Sequence, residues 1–329
     1  MTSGPPIWSG LTLSVRTVTE LVAGDIAPLT ESARSVHDVS LASGRASEWA
    51  SGEAKTATDR ESLAYRAVAA ALWPGILGLC ILSTALGMQA GHGPLVFVIT
   101  YVCLALSLFV LERVMPWERE WLKNDGQMWP DFLHTFITKT FVYWFTLAAG
   151  AMGIFEALRI GDGIWPLNLP LPLQVVLGLV VSEFGFYWSH RLGHEFKPIW
   201  RFHAIHHSVR RLWFFNTGRF HVGDTLRAMC FGLPLMFAIG APELVMTWVS
   251  AITAFVGLLT HCNVDMRTRW LHRWFNTPAM HRWHHSKRLY EGDKNYGENL
   301  LLWDRLFGTW YDADYRPGTD IGIKEYMPR

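Results

Sequence analysis

Four cysteines in 329 residues are too few and too scattered for a disulfide framework, a zinc finger or an iron–sulfur cluster. Cys80, Cys103, Cys230 and Cys262 fall in or beside apolar stretches, which reads them as small core residues. Charge is sparse too: 17% of the residues are Asp, Glu, Lys or Arg, and the net charge is +1. No global basic balance points to nucleic acid. Also missing are the Gly-x-Gly-x-x-Gly turn of dinucleotide sites, the His-Pro-Gly-Gly haem element and the helical H-E-x-x-H signature of zinc hydrolases. No short apolar core with a small-residue cleavage site opens the chain, so no signal peptide is expected.

What the chain does have is apolar length. Half of its residues are hydrophobic and seventeen are Trp. Residues 1–66 are expected to form a soluble arm, partly disordered, ahead of a membrane-embedded domain at 67–329. Apolar runs follow at Ala67–Ala90, Leu95–Leu111, Phe141–Leu158 and Leu171–Trp188. A last pair covers about 226–241 and 244–260, broken at Ala241-Pro242-Glu243. Several approach the roughly 20 residues that a helix needs to cross a bilayer. A multi-pass membrane protein is the expectation. Arg60, Arg66, Arg113, Arg119 and Lys123 flank the first two runs on one side, and the turn between them has no basic residue. The positive-inside rule then puts the N-terminus, the 112–133 segment and everything after Trp188 in the cytoplasm, apart from the broken pair. Arg201, Arg210, Arg211 and Arg219, interleaved with Trp200, Trp213 and Phe214, read as an interfacial belt rather than a nucleic-acid patch.

Histidine is concentrated. Eight of fourteen form three groups: His190 and His194; His203, His206 and His207; His281, His284 and His285. These are one H-x-x-x-H and two copies of H-x-x-H-H. Positions i, i+3 and i+4 share a helix face, so each group is expected to aim its imidazoles at one point. Neutral imidazole is the commonest ligand for a transition metal. Three converging groups exceed one tetrahedral ion, which suggests two metals. His37, His92, His134 and His272 read as structural or solvated.

With these groups the chain closely resembles the sterol desaturase / fatty acid hydroxylase superfamily of integral-membrane di-iron enzymes. The matching pieces are Tyr-Trp-Ser-His-Arg-Leu-Gly-His at 187–194, Trp-Arg-Phe-His-Ala-Ile-His-His-Ser at 200–208 with Leu-Trp-Phe-Phe-Asn after it, and His-Cys-Asn at 261–263. Thr-Pro-Ala-Met-His-Arg-Trp-His-His-Ser at 277–286, Lys-Asn-Tyr-Gly at 294–297 and Trp-Asp-Arg-Leu-Phe-Gly-Thr at 303–309 complete them. The resemblance implies an all-α fold: a multi-pass transmembrane helical base with a cytoplasmic helical cap carrying a histidine-rich di-metal site. It implies O2-dependent hydroxylation of a lipid C–H bond, or desaturation at the same site, with two ferrous ions and O2 as co-substrate. The implied ligands are His190, His194, His203, His206, His207, His281, His284 and His285. His261, in a His-x-Asn element, is a further one. His221 is a candidate, although Val222 and Asp224 stand where the family usually has Pro and Glu.

Two polar residues complete the candidate site. Glu183 shares a helix face with His190 and His194, and an acid in an apolar span marks function by default. Its expected role is to accept an N–H from a ligand imidazole. Asn263 is expected to orient His261 or to bind solvent at the metal. Asn295, Tyr296, Gly297 and Asp304 are expected to fold the C-terminal segment back over the site. With no redox cofactor motif of its own, the chain needs a separate electron donor of the ferredoxin or cytochrome b5 type, with its reductase. A bacterial inner membrane or the endoplasmic reticulum would house it. Zinc-dependent hydrolysis and membrane metal transport remain the rival classes.

Overall fold

A computed structural model describes residues 62–160 and 163–323. The arm expected over 1–66 lies outside them, except for its last residues, which already begin the first helix. Besides the single turns Ile154–Ala157 and Leu289–Gly292, the helices are α1 (Leu63–Gln89), α2 (Gly93–Val114), α3 (Met128–Ala151), α4 (Leu171–Glu195), α5 (Lys197–His207), α6 (Val222–Ala238), α7 (Glu243–His261), α8 (Pro278–His284) and α9 (Leu302–Leu306). Among the described residues there is no β-sheet, only isolated bridges such as Pro116 with Val264. The all-α expectation holds.

Local chemistry sets the boundaries. Ser62 caps α1 by accepting the Tyr65 N–H, one of the donors that a helix start leaves unpaired. α1 stops at Gly91, whose φ of 76° favours glycine, and α2 restarts with Pro94 in its first turn. α4, α5 and α8 likewise carry proline in their first turns. α1, α2, α4 and α7 are long and apolar enough to cross a membrane. Leu82, Leu86, Val98, Leu106 and Val110 are exposed along α1 and α2, as the lipid-facing side of such helices requires.

The run expected at Phe141–Leu158 belongs to α3, which begins at Met128 and ends before Gly153 at φ 69°. Its first half buries Asp131, Thr135 and Thr138, of which Asp131 and Thr138 bond to a polar turn rather than face lipid. A hydropathy reading therefore starts the element too late.

Ion pairs and hydrogen bonds bring one end of every long helix together. At the start of α1, Arg267 N–H donates to the Ala69 carbonyl (3.0 Å). At the end of α2, the buried Glu112 carboxylate accepts N–H groups from Phe214 (2.8 Å) and Asn263 (2.9 Å). At the start of α3, Asp131 pairs with Arg219 (2.8 Å) and accepts the Trp213 indole N–H (2.8 Å). The ends of α4 and α7 and the start of α6 reach the same place. α5, α8, α9 and the 3₁₀ turn Phe214–Gly218 pack over this end as a cap.

α4 and α6 approach each other closely. A Cβ at Gly185 would overlap the Phe231 carbonyl, and a Cβ at Gly232 would overlap the Phe186 ring. Glycine on both helices permits this approach, and Arg227 of α6 donates to Ser189 of α4 one turn nearer the cap.

Candidate metal centre

Nine histidines meet where the cap covers the bundle, in two adjoining groups. His190, His194, His203, His207 and His284 form one; His206, His261, His281 and His285 form the other. Within each, one nitrogen per ring lies within 4.8 Å of all the others. Every ring is buried. The groups touch through His207 and His285, whose ring centroids are 4.4 Å apart, and through His281 and His284, at 5.4 Å.

The two H-x-x-H-H copies differ from the sequence expectation. Neither aims its three rings at one point. His203 and His207 enter the first group while His206 enters the second; His281 and His285 enter the second while His284 enters the first. Helix geometry explains it: i and i+4 are about 40° apart around the axis, whereas i+3 and i+4 are about 100° apart. The i, i+4 pair serves one group and the odd residue reaches across. The two copies do this in opposite senses, so α5 and α8 stitch the groups together.

Hydrogen bonds to the outer nitrogens fix how the rings face. His190 Nδ1 donates to the Tyr296 carbonyl (2.7 Å) and His284 Nδ1 to the Lys294 carbonyl (2.8 Å). A carbonyl only accepts, so the proton is on Nδ1 and the Nε2 lone pair faces inward. Both of those Nε2 atoms are buried without a hydrogen-bond partner. His203 Nδ1 meets Asp224 Oδ2 at 2.9 Å, and His194 Nδ1 meets Asp293 Oδ1 at 3.2 Å. In the second group His261 Nδ1 meets Asn216 Oδ1 at 2.9 Å.

Inside the groups, nitrogen faces nitrogen. His207 Nε2 is 3.1 Å from both His194 Nε2 and His203 Nε2. His281 Nε2 is 2.8 Å from His261 Nε2 and 3.1 Å from His285 Nε2. That separation suits either an N–H···N hydrogen bond or two nitrogens bound to one cation. Two nitrogens each about 2.1 Å from one ion, at right angles, are about 3.0 Å apart. The donor set fits a metal in each group.

Electrostatics point the same way. Burial first, then the neighbouring imidazoles, hold His203, His206, His207, His281, His284 and His285 well below the ordinary imidazole range. They are neutral at physiological pH, the form that binds a metal.

The other expected site residues lie elsewhere. His221 belongs to neither group; it caps α6, its Nδ1 accepting the Gly223 N–H at 3.0 Å, and it packs on Phe202. Glu183 meets no imidazole. Its carboxylate accepts the Glu298 and Asn299 backbone N–H groups and the Asn299 side-chain amide (3.0 Å). Through them it anchors the segment whose carbonyls hold His190 and His284. Asn263 does not reach His261; it bonds Glu118 through the backbone N–H and carbonyl (both 2.9 Å). The 294–304 segment does fold over the site: the buried Asp304 accepts the Tyr296 (2.7 Å) and Gly297 (2.8 Å) N–H groups. Burial pushes its carboxyl up to about 6.

Asn216, Asp224 and Asp293 do the positioning that Glu183 and Asn263 were expected to do. Asn216 → Ala removes the acceptor of the His261 ring. It is expected to lower activity about 10- to 100-fold, the usual cost of losing such a partner. Metal content and turnover measured on the same preparation check this; unchanged activity contradicts the positioning role.

A fatty acid hydroxylase family model matches residues 175–309, which contain all nine histidines. The ornithine lipid hydroxylase of Rhizobium tropici is 46% identical over 269 residues, 79% of this chain and 80% of that protein. The alkylglycerol monooxygenase of Danio rerio is 30% identical over 219 residues, covering 62% of this chain and 46% of that protein. The human alkylglycerol monooxygenase is 33% identical over 128 residues, covering 39% and 28%. No solved structure matches.

Proposed function

Because this chain belongs to the fatty acid hydroxylase family, we propose that it hydroxylates an ornithine lipid, with one ferrous ion in each histidine group. It is a membrane-embedded oxidoreductase of lipid C–H bonds. The observation that carries the metal assignment is the convergence of nine buried imidazoles in two sets, each ring offering one nitrogen. Zinc hydrolysis needs three protein ligands and an open position, and sets of five and four nitrogens exceed that. Transport sites lie near mid-membrane between spans; these groups lie at the helix ends.

Bound iron would supply the electrons and oxidising power to activate O2 against an aliphatic C–H bond, which acid–base chemistry cannot break. The chain's own residues supply the rest. Tyr296 and Lys294 carbonyls, Asp224, Asp293 and Asn216 hold the rings in their metal-binding orientation. The buried surroundings, with Trp200 and Tyr296 against the first group and Phe220 against His206, keep bulk water from the reacting face.

Asp293 is half-exposed beside His194 and marks where the first group comes nearest to solvent. A ferredoxin or cytochrome b5 type carrier would deliver electrons at this cytoplasmic face of a bacterial inner membrane. Purified iron-loaded protein, given reductant, O2 and an ornithine lipid, is expected to yield lipid heavier by one oxygen. Mass spectrometry reads this directly. A product lighter by two hydrogens, or no product while another lipid is oxidised, contradicts the assignment.

A further inference from the structure

Outside the metal centre, one feature along α3 combines a groove, an aromatic stripe and a cation without an ion-pair partner. It is an open groove of about 370 Å³ along α3, walled by Phe132, Phe136 and Tyr143 together with Phe215. These α3 residues recur at helical spacing, so they form one continuous stripe.

Two polar groups interrupt the stripe. Thr135 is buried, and its Oγ1 has no hydrogen-bond partner. Lys139 lies one turn further along, with its ammonium 5.4 Å from the Tyr101 ring centroid. Among the described residues it takes part in no salt bridge. It is roughly 16 Å along the helix from Met128 at 1.5 Å per residue, close to mid-helix. Lys139 is exposed on this aromatic stripe, so its ammonium is open to an anionic group brought by a ligand.

The groove lies beside the metal centre. Thr138, beside Lys139 in the chain, donates to the Phe220 carbonyl (2.8 Å), and the Phe220 ring stacks on His206 at 4.3 Å. At its floor, Thr135 packs against Gly218, where any Cβ would meet Thr135 Cγ2 at 2.5 Å. Gly218 closes the same 3₁₀ turn that presents Asn216 to His261. One layer of side chains separates groove from histidines.

We propose that this groove seats the substrate, with the free carboxylate of its amino-acid headgroup on the Lys139 ammonium and an acyl chain along the aromatic stripe. The inference rests on the ornithine lipid reading above and names the group that selects for it. An ornithine lipid carries one free carboxylate beside its amide-linked chain. The groove offers one cation and apolar walls, which match the carboxylate and the chain. Lys139 is thus a specificity residue that touches substrate away from the reacting carbon.

The test compares an ornithine lipid with its carboxyl methyl ester, using the iron-loaded full chain in lipid nanodiscs. The native protein is expected to show a KM about tenfold or more higher for the ester, the scale of one charge-assisted hydrogen bond. Lys139→Gln should raise KM for the acid by a similar factor, leave kcat within about twofold and abolish the discrimination between the two lipids. Lys139→Arg should restore most of it. If the native protein separates acid from ester and Lys139→Gln still does, the groove is not the headgroup site. An equal loss of affinity for phosphatidylglycerol in Lys139→Gln would make the lysine a general anionic-lipid anchor and overturn the proposal. If the native protein oxidises neither ornithine lipid nor ester, the substrate reading itself fails, which is a separate result.

Discussion

Replacing His207 by alanine is expected to abolish hydroxylation and to lower bound iron from about two ions per chain to about one. His207 Nε2 sits 3.1 Å from the inward nitrogens of both His194 and His203, which makes it the centre of the first group. Its removal opens that group on the side facing the second, where its ring stacks on His285. The second group keeps all four of its rings. Loss of part of the metal, rather than all of it, is therefore the signature of two separate sites. Iron quantification and oxygen uptake on the same detergent-purified protein check the result. Membrane insertion should be unaffected, because the apolar helices do not depend on this ring. Full activity in His207→Ala, or loss of all iron with an intact second group, contradicts the division.

The second large effect is expected far from any ligand. Gly185→Leu puts a branched side chain where the Phe231 carbonyl of α6 already lies, and Gly232 opposite has no room to yield because the Phe186 ring covers it. Overpacking a core costs about 1–3 kcal/mol when side chains can adjust. Here the obstacle is backbone, so the cost is expected at the upper end, about 3 kcal/mol, or a fall in melting temperature of about 6–12 °C. Function should fall further than stability. α4 carries His190 and His194, while α6 carries Asp224, which holds His203, and Arg227, which ties back to Ser189. Spreading the two helices pulls the first group apart. Gly185→Ala should show the same direction with a smaller effect; a melting temperature and iron content equal to the native protein's in Gly185→Leu would show that the helices are not in close contact.

These two cases also mark what could be read from sequence. His207 belongs to a written pattern, and its metal role follows from local spacing and the chemistry of imidazole. The opposite division of the two H-x-x-H-H copies was not legible, because it depends on how α5 and α8 face each other. The apolar runs gave the helices, but α3 began earlier than hydropathy suggests. Its buried Asp131 and Thr138 bond to a turn more than eighty residues away. Glu183 illustrates the same limit. An acid in an apolar helix announced a partner, yet the partners are Glu298 and Asn299, distant in sequence and supplied by a loop. Asn263 stood next to His261 in its motif, and adjacency suggested a link that the helix end directs elsewhere. Asn216 and Asp224 had signals of their own: one closes the Leu-Trp-Phe-Phe-Asn motif, and the other is an acid in the first turn of a largely apolar helix. Glu112 could have been found by the reasoning applied to Glu183, since it too is an acid at the end of an apolar run.

X-ray absorption at the iron edge, on the reduced and metal-loaded protein, bears most directly on the convergence of these rings. The expected spectrum shows about two irons per chain, each with a coordination shell dominated by imidazole nitrogen. A single iron in an oxygen-rich shell, or a fully active protein that holds zinc instead, would contradict it.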